Sequence, residues 1–168
     1  MANWCSNHVC FTGEEKNIEN LSKLFEKTID MEKKTEDGQT LFGLEKVIDG
    51  FMFNIEIVDL VEDSLCISFE SKWDSIVNDI VRIAELFNLT FEYDYEEGGN
   101  NIYGKYTFTH EEGYPILYNQ IPTEAEIESC KFHEEGDEPD EKNGFDWELL
   151  ESLIEQSSME VIQIKRIA

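Results

Sequence analysis

The sequence predicts an α+β fold on three observations. Two stretches carry apolar residues at helical spacing, several others alternate apolar and polar residues, and each helical stretch stands between two alternating ones. At 168 residues the chain is long enough for one ordinary domain, which buries about 70% of its unfolded surface at this size.

Val9 and Phe11 share one face of a short run and mark a first strand over residues 7 to 11. Thr12-Gly13-Glu14-Glu15 then offers a capping threonine with a glutamate three residues on. Ile18, Leu21, Leu24, Phe25 and Ile29 follow at helical spacing, predicting a helix over residues 14 to 32. Residues 33 to 50 are polar and contain Gly38, Gly43 and Gly50, which reads as a loop.

Phe51, Phe53, Ile55 and Ile57 alternate with polar neighbours, and after a charged turn at residues 59 to 64 Leu65, Ile67 and Phe69 alternate again. These are the two strands of a hairpin. From Asp74 onward Ile76, Ile80, Ile83 and Leu86, widened by Val77, Val81, Ala84 and Phe87, give a second helix with a broad apolar face. Leu89, Phe91, Tyr93 and Tyr95 then alternate with Thr90, Glu92, Asp94 and Glu96 in a strand with one wet face. The order β-α-β-β-α-β with right-handed crossovers gives a ferredoxin-like split β-α-β sandwich: an antiparallel sheet, two helices on one face, the other face open.

A turn at residues 97 to 101 leads to one more strand, Ile102 to Phe108 in sequence, completing an added hairpin. Matching Glu92 with Lys105 also sets Phe91 opposite Tyr106, Leu89 opposite Phe108 and Thr90 opposite Thr107. It puts Tyr93 opposite Gly104, where a missing side chain leaves room for the ring. The domain reading is therefore a core over residues 1–110 and an acidic α/β extension over 111–168 docked on it as one body. Thr123-x-x-Glu126 caps a short helix and Asp146 opens another through Glu155, with Trp147, Leu150 and Ile154 as its apolar stripe. A last strand is expected near residues 159–165, and the six acids in residues 134 to 141 read as a loop.

Thirty-eight acidic against thirteen basic residues give a net charge of −25. Such a chain repels phosphate backbones and anionic membranes, so direct nucleic-acid and membrane binding are not expected and a basic protein partner is. Residues 111 to 168 carry almost as much net charge as the first 110, so charge per residue nearly doubles there. The N-terminus has neither a basic start nor a long apolar run, which points to a cytoplasmic protein. Cys5, Cys10, Cys66 and Cys130 are sparse and irregularly spaced, so reduced thiols are expected.

Cys5-x-x-His8 and Cys130-x-x-His133 together hold four zinc-type ligands. In a strand, however, residues three apart point to opposite faces, which separates Cys5 from His8 both for a metal and for a nucleophile and base pair. His110 and His133 have no partner at a recognisable spacing. Residues 139 to 150 fail the calcium-loop pattern, since Pro139 and Leu150 stand where acids are needed, and the glycines at 98, 99 and 104 lack a lysine and a following helix. No catalytic residue, metal or cofactor is assigned. The one arrangement with enzymatic character is Glu92, Asp94 and Glu96, on one sheet face about 7 Å apart, a separation that inverting glycosidases use.

Asn3-Trp4-Cys5-Ser6-Asn7 behind Met1-Ala2, with Phe11-Thr12-Gly13, Phe69-Glu70-Ser71-Lys72-Trp73, Tyr95-Glu96-Glu97 and Tyr103-Gly104, resembles the YubB-like family of plasmids, phages and other bacterial mobile elements. Members often carry proline after the central tryptophan, where this chain has Asp74 and Ser75. The resemblance implies a ferredoxin-like domain and a mobile-element setting, and carries no catalytic or ligand-binding residues. Candidate binding residues are Asn3, Trp4, Asn7 and Trp73, with Glu92, Asp94 and Glu96. The leading functional expectation is a non-enzymatic interaction protein whose carboxylates compete with nucleic acid for a basic partner. The alternative is a hydrolase or small-ligand-binding protein using the Glu92, Asp94, Glu96 face.

Overall fold

Strand alternation decides which side chains go inward, and the computed structural model, which describes residues 3–35, 38–46, 48–99, 101–133 and 143–162, follows it closely. Strand β1 (Trp4–Thr12) sends Cys5, Asn7, Val9 and Phe11 into the core. Helix α1 (Glu15–Thr35) covers them with Ile18, Leu21 and Phe25. Thr12 ends β1 instead of capping the helix; the first turn starts from the Glu14 carbonyl, which accepts from Asn17 and Ile18.

Strands β2 (Phe53–Val61) and β3 (Ser64–Lys72) form the first hairpin, with a turn of two residues rather than the longer one expected. Helix α2 (Val77–Phe87) buries Ile80, Val81, Ile83 and Ala84, whereas Leu86 faces water. The segment between α1 and β2 is more than a spacer. Leu41 and Ile48 are fully buried, and Asp79 of α2 accepts from the Gly50 amide at 2.8 Å while pairing with Arg82 at 3.0 Å.

Strands β4 (Thr90–Glu97), β5 (Ile102–Glu111) and β6 (Tyr114–Gln120) continue the sheet. After them come α3 (Glu124–Ser129), β7 (Lys131–His133), β8 (Asn143–Phe145), α4 (Trp147–Gln156) and β9 (Glu160–Ile162). The sheet order is β2-β3-β1-β4-β5-β6-β9, antiparallel throughout, so the expected four-stranded sandwich is its first half and three strands extend it. The expected acidic loop at 134 to 141 lies outside the described residues, as do residues 163 to 165 of the last expected strand.

The β4–β5 register differs from the expected one by two residues. Phe91 faces Phe108, Tyr93 faces Tyr106, Asp94 faces Lys105 and Tyr95 faces Gly104. A shift of two preserves every side chain's face, so the inward set is unchanged. The last pair of the ladder is Glu97 with Ile102, so the turn falls where it was expected, with Asn101 in the left-handed region at φ 54°. Aromatic stacking favours this register: Phe91 lies on Phe108 at 5.3 Å and Tyr95 on Tyr106 at 4.9 Å. The Glu92–Lys105 ion pair survives as a diagonal contact at 2.7 Å. The space over Gly104 belongs to Tyr95, not Tyr93; a Cβ there would meet the Tyr95 hydroxyl at 2.4 Å.

Strand β6 was not expected. Its signal is the two-residue turn Glu112-Gly113, with φ of 50° and 83°, which closes the β5–β6 hairpin in the left-handed geometry such turns require. Among the described residues no helix is long and apolar enough to cross a membrane.

Candidate functional site

The extension docks on the sheet face opposite α1 and α2, so that face is not open along its length. Tyr103, which alternation places outward on β5, is only 4% exposed because Ile127, Cys130 and Leu150 pack with it in a second apolar cluster. Phe145 stacks on its ring at 5.6 Å and Trp147 meets it edge-on at 6.0 Å. Both helices of the extension start as expected. Thr123 and Glu126 form a reciprocal capping box on α3, and the Asp146 carboxylate accepts from the Leu149 amide at 2.9 Å on α4. At the other end of α4, the Gln120 side-chain amide donates toward the carbonyls of Ile154, Glu155 and Ser157 at 3.2 to 3.4 Å. This ties the helix to the end of β6.

Between α4 and the sheet lies a cleft of about 490 Å³. Ser6 and His8 of β1, Asp94 and Glu96 of β4, and Tyr103 and Lys105 of β5 form its floor; Trp147, Glu151 and Glu155 of α4 stand among its wall residues. Four carboxylates therefore surround one lysine and one histidine. Withdrawal of water raises the carboxyl of Glu96 above the ordinary range. It raises Asp94 as well, although that side chain still reaches solvent and Lys105 and His8 pull the other way. For Lys105 burial acts to lower the pKa, but the Glu92 hydrogen bond and the charges of Asp94, Glu92 and Glu155 outweigh it, and the ammonium is held above its usual value.

Of the sequence-predicted carboxylates, Asp94 and Glu96 enter the cleft. Glu92 stays outside on the rim, its side chain 62% exposed, holding Lys105. Asn7 is not at the surface at all. It is 1% exposed, donates to the Cys5 carbonyl and Ser71 hydroxyl, and accepts from the Tyr93 hydroxyl at 2.6 Å. Trp4 and Trp73 are 43% and 57% exposed. Trp4 packs edge-on against Phe53 at 5.0 Å with the Lys72 ammonium near both rings, and the Asn3 carbonyl accepts from the Trp73 amide. These residues lie apart from the cleft.

Sequence reasoning missed His8, Lys105, Trp147, Glu151 and Glu155 as parts of one site, because they come from three elements distant in the chain. Cys5 and His8 point to opposite faces as expected: Cys5 is buried, its thiol pushed up to about 11 chiefly by that burial. Cys130 is buried as well. The expectation of reduced thiols fails for the other two cysteines. Cys10 and Cys66 stand directly opposite on β1 and β3, with Cα atoms 4.1 Å apart, and form a disulfide. A pairing across 56 residues has no signature in their spacing.

No curated protein and no solved structure matches the chain. Residues 52–143, more than half of the chain, match the family described as a ferredoxin-like domain in Api92-like proteins, and the chain belongs to that family.

Proposed function

We propose that this chain is a non-enzymatic binding protein that takes a cationic group of a basic partner into the cleft beneath α4. The observation that carries the reading is the concentration of Asp94, Glu96, Glu151 and Glu155 around a cleft of about 490 Å³ that Trp147 and Tyr103 also line. A lysine or arginine side chain meets both needs there, its charge facing carboxylates and its stem or planar head lying on aromatic rings. The surrounding charge of −25 draws such a partner in from a distance. On this reading the protein competes with nucleic acid for a basic protein, and the resemblance to the YubB-like family supports a mobile-element setting in the cytoplasm.

The test is calorimetric titration with a short arginine-rich peptide. Asp94→Asn with Glu96→Gln should weaken binding by about tenfold, the loss of charge-assisted hydrogen bonds. The control Glu26→Gln with Asp30→Asn, on the exposed side of α1, should change it far less. Lys105→Gln should strengthen it, because the resident cation no longer competes. Equal losses in the cleft pair and the helix pair would defeat the proposal, leaving diffuse charge attraction in its place.

The same cleft supports a second reading, a hydrolase or small-ligand-binding protein, because Asp94 and Glu96 line a half-open cleft instead of a flat face. Glu92 lies outside that space, so a hydrolytic pair would be Asp94 and Glu96. Turnover of a small glycoside that disappears in Glu96→Gln would favour it.

A further inference from the structure

We propose that His8, Cys10 and Cys66 form a binding site for a soft divalent cation such as Zn²⁺ once the Cys10–Cys66 disulfide is reduced. The site borders the cleft, sharing His8 with its floor, but does not rest on what the cleft binds. His8 and Cys10 are two apart on β1 and so share its outer face, and Cys66 is the direct cross-strand neighbour of Cys10 on β3. One ligand atom from each lies within 4.8 Å of the other two.

A tetrahedral zinc with bonds of about 2.3 Å to sulfur and about 2.1 Å to nitrogen sets those atoms about 3.6 Å apart. Cys10 Sγ and His8 Nε2 are 3.5 Å apart. Two thiolates on such an ion stand about 3.8 Å apart. Side chains of a directly opposed pair with Cα atoms 4.1 Å apart open to that distance by χ1 rotation alone. All three residues are half-buried, which leaves the fourth position to solvent. Across β4 Glu92 faces Cys10 and Asp94 faces His8, so the surrounding charge favours a cation.

The chemistry balances with a low-molecular-weight thiol as reductant. Two equivalents cleave the disulfide by exchange, leaving two protein thiols and one small-molecule disulfide. The cation then displaces both thiol protons to solvent and takes two thiolates and the imidazole lone pair. Exchange with the small-molecule disulfide reverses the sequence: the protein disulfide re-forms, two small-molecule thiolates leave and take up protons, and the ion is released, so the site holds metal only under reducing conditions.

The experiment uses the full chain with Co²⁺ as probe, in the presence of a phosphine reductant that does not compete as a chelating dithiol. The expected result is one Co²⁺ per chain with thiolate charge-transfer absorption, displaced by Zn²⁺ and absent from the oxidised protein. His8→Gln should lower the affinity by about tenfold or more, since losing even an outer partner of a ligand costs that much. Cys5→Ser with Cys130→Ser should leave it unchanged. Without any variant, Zn²⁺ should protect Cys10 and Cys66 of the reduced protein from alkylation. A pair that stays oxidised in excess reductant, no charge-transfer band, or alkylation indifferent to Zn²⁺ would overturn the site and assign the disulfide a purely structural role.

Discussion

Gly104 shows how one missing side chain sets the aromatic layer. Its backbone lies against Tyr95, and an added Cβ would sit 2.4 Å from the hydroxyl and 2.7 Å from the ring, with the Gln120 carbonyl at 3.0 Å behind it. The ring cannot retreat easily because Tyr106 stacks on it at 4.9 Å. Gly104→Ala should therefore destabilise the protein by about 1–3 kcal/mol, as overpacking does. Adding Tyr95→Leu should recover part of that loss in a double-mutant cycle by urea denaturation. Additive losses would mean that the carbonyl, not the ring, sets the limit. Asn7 illustrates the opposite case, a polar side chain wholly inside. Its hydrogen bonds to Cys5, Ser71 and Tyr93 make it a strut of the core, and burial holds the Tyr93 hydroxyl well above its ordinary pKa.

Helix α4 converts a sheet face into a cleft, and two kinds of contact hold it there. Leu150, 3% exposed, packs in the cluster with Tyr103, and the Gln120 side-chain amide donates to the carbonyls at the helix end. Leu150→Ala should cost about 2–3 kcal/mol locally by cavity formation. Because the main core lies on the other face of the sheet, the effect should fall on the extension first. Hydrogen exchange is expected to quicken in α4 and β9 before β1, β3 or β4, while the peptide affinity of the cleft falls. Uniform quickening across all strands would show instead that core and extension unfold as one unit.

Charge acts on the whole molecule, and in the cleft burial also gives it a pH dependence. The folded pKa of Glu96 is raised above its unfolded value by burial alone. Ionised Glu96 therefore opposes folding, and its contribution to stability increases as pH falls from the raised value toward the ordinary carboxylate range and is lost as pH rises through that window. Glu96→Gln should accordingly raise the melting temperature at neutral pH relative to wild type, and the difference should shrink on acidification. Cation binding has the opposite sense, since it needs the ionised form. Affinity for the arginine-rich peptide should begin to fall on acidification at a pH above the usual carboxylate range, with the Lys105 ammonium adding repulsion. An affinity that holds down to the range of free carboxylates would place the binding charge elsewhere.

Local pattern determined a great deal of this protein. Alternation and helical spacing gave the β-α-β-β-α-β order, the inward residues Val9, Phe11, Ile67, Phe69, Phe91 and Tyr93, and the caps at Thr123 and Asp146, because each depends on neighbours in the chain. Pairing partners were decided in three dimensions. The β4–β5 register followed aromatic stacking over one surface ion pair, and the Cys10–Cys66 juxtaposition follows from β1 and β3 lying side by side. The cleft exists only because α4 folds back over β4 and β5, bringing Glu151 and Glu155 to Asp94, Glu96 and Lys105. A sequence specifies which face each residue shows; which distant surface that face meets is settled by the packing of the whole chain.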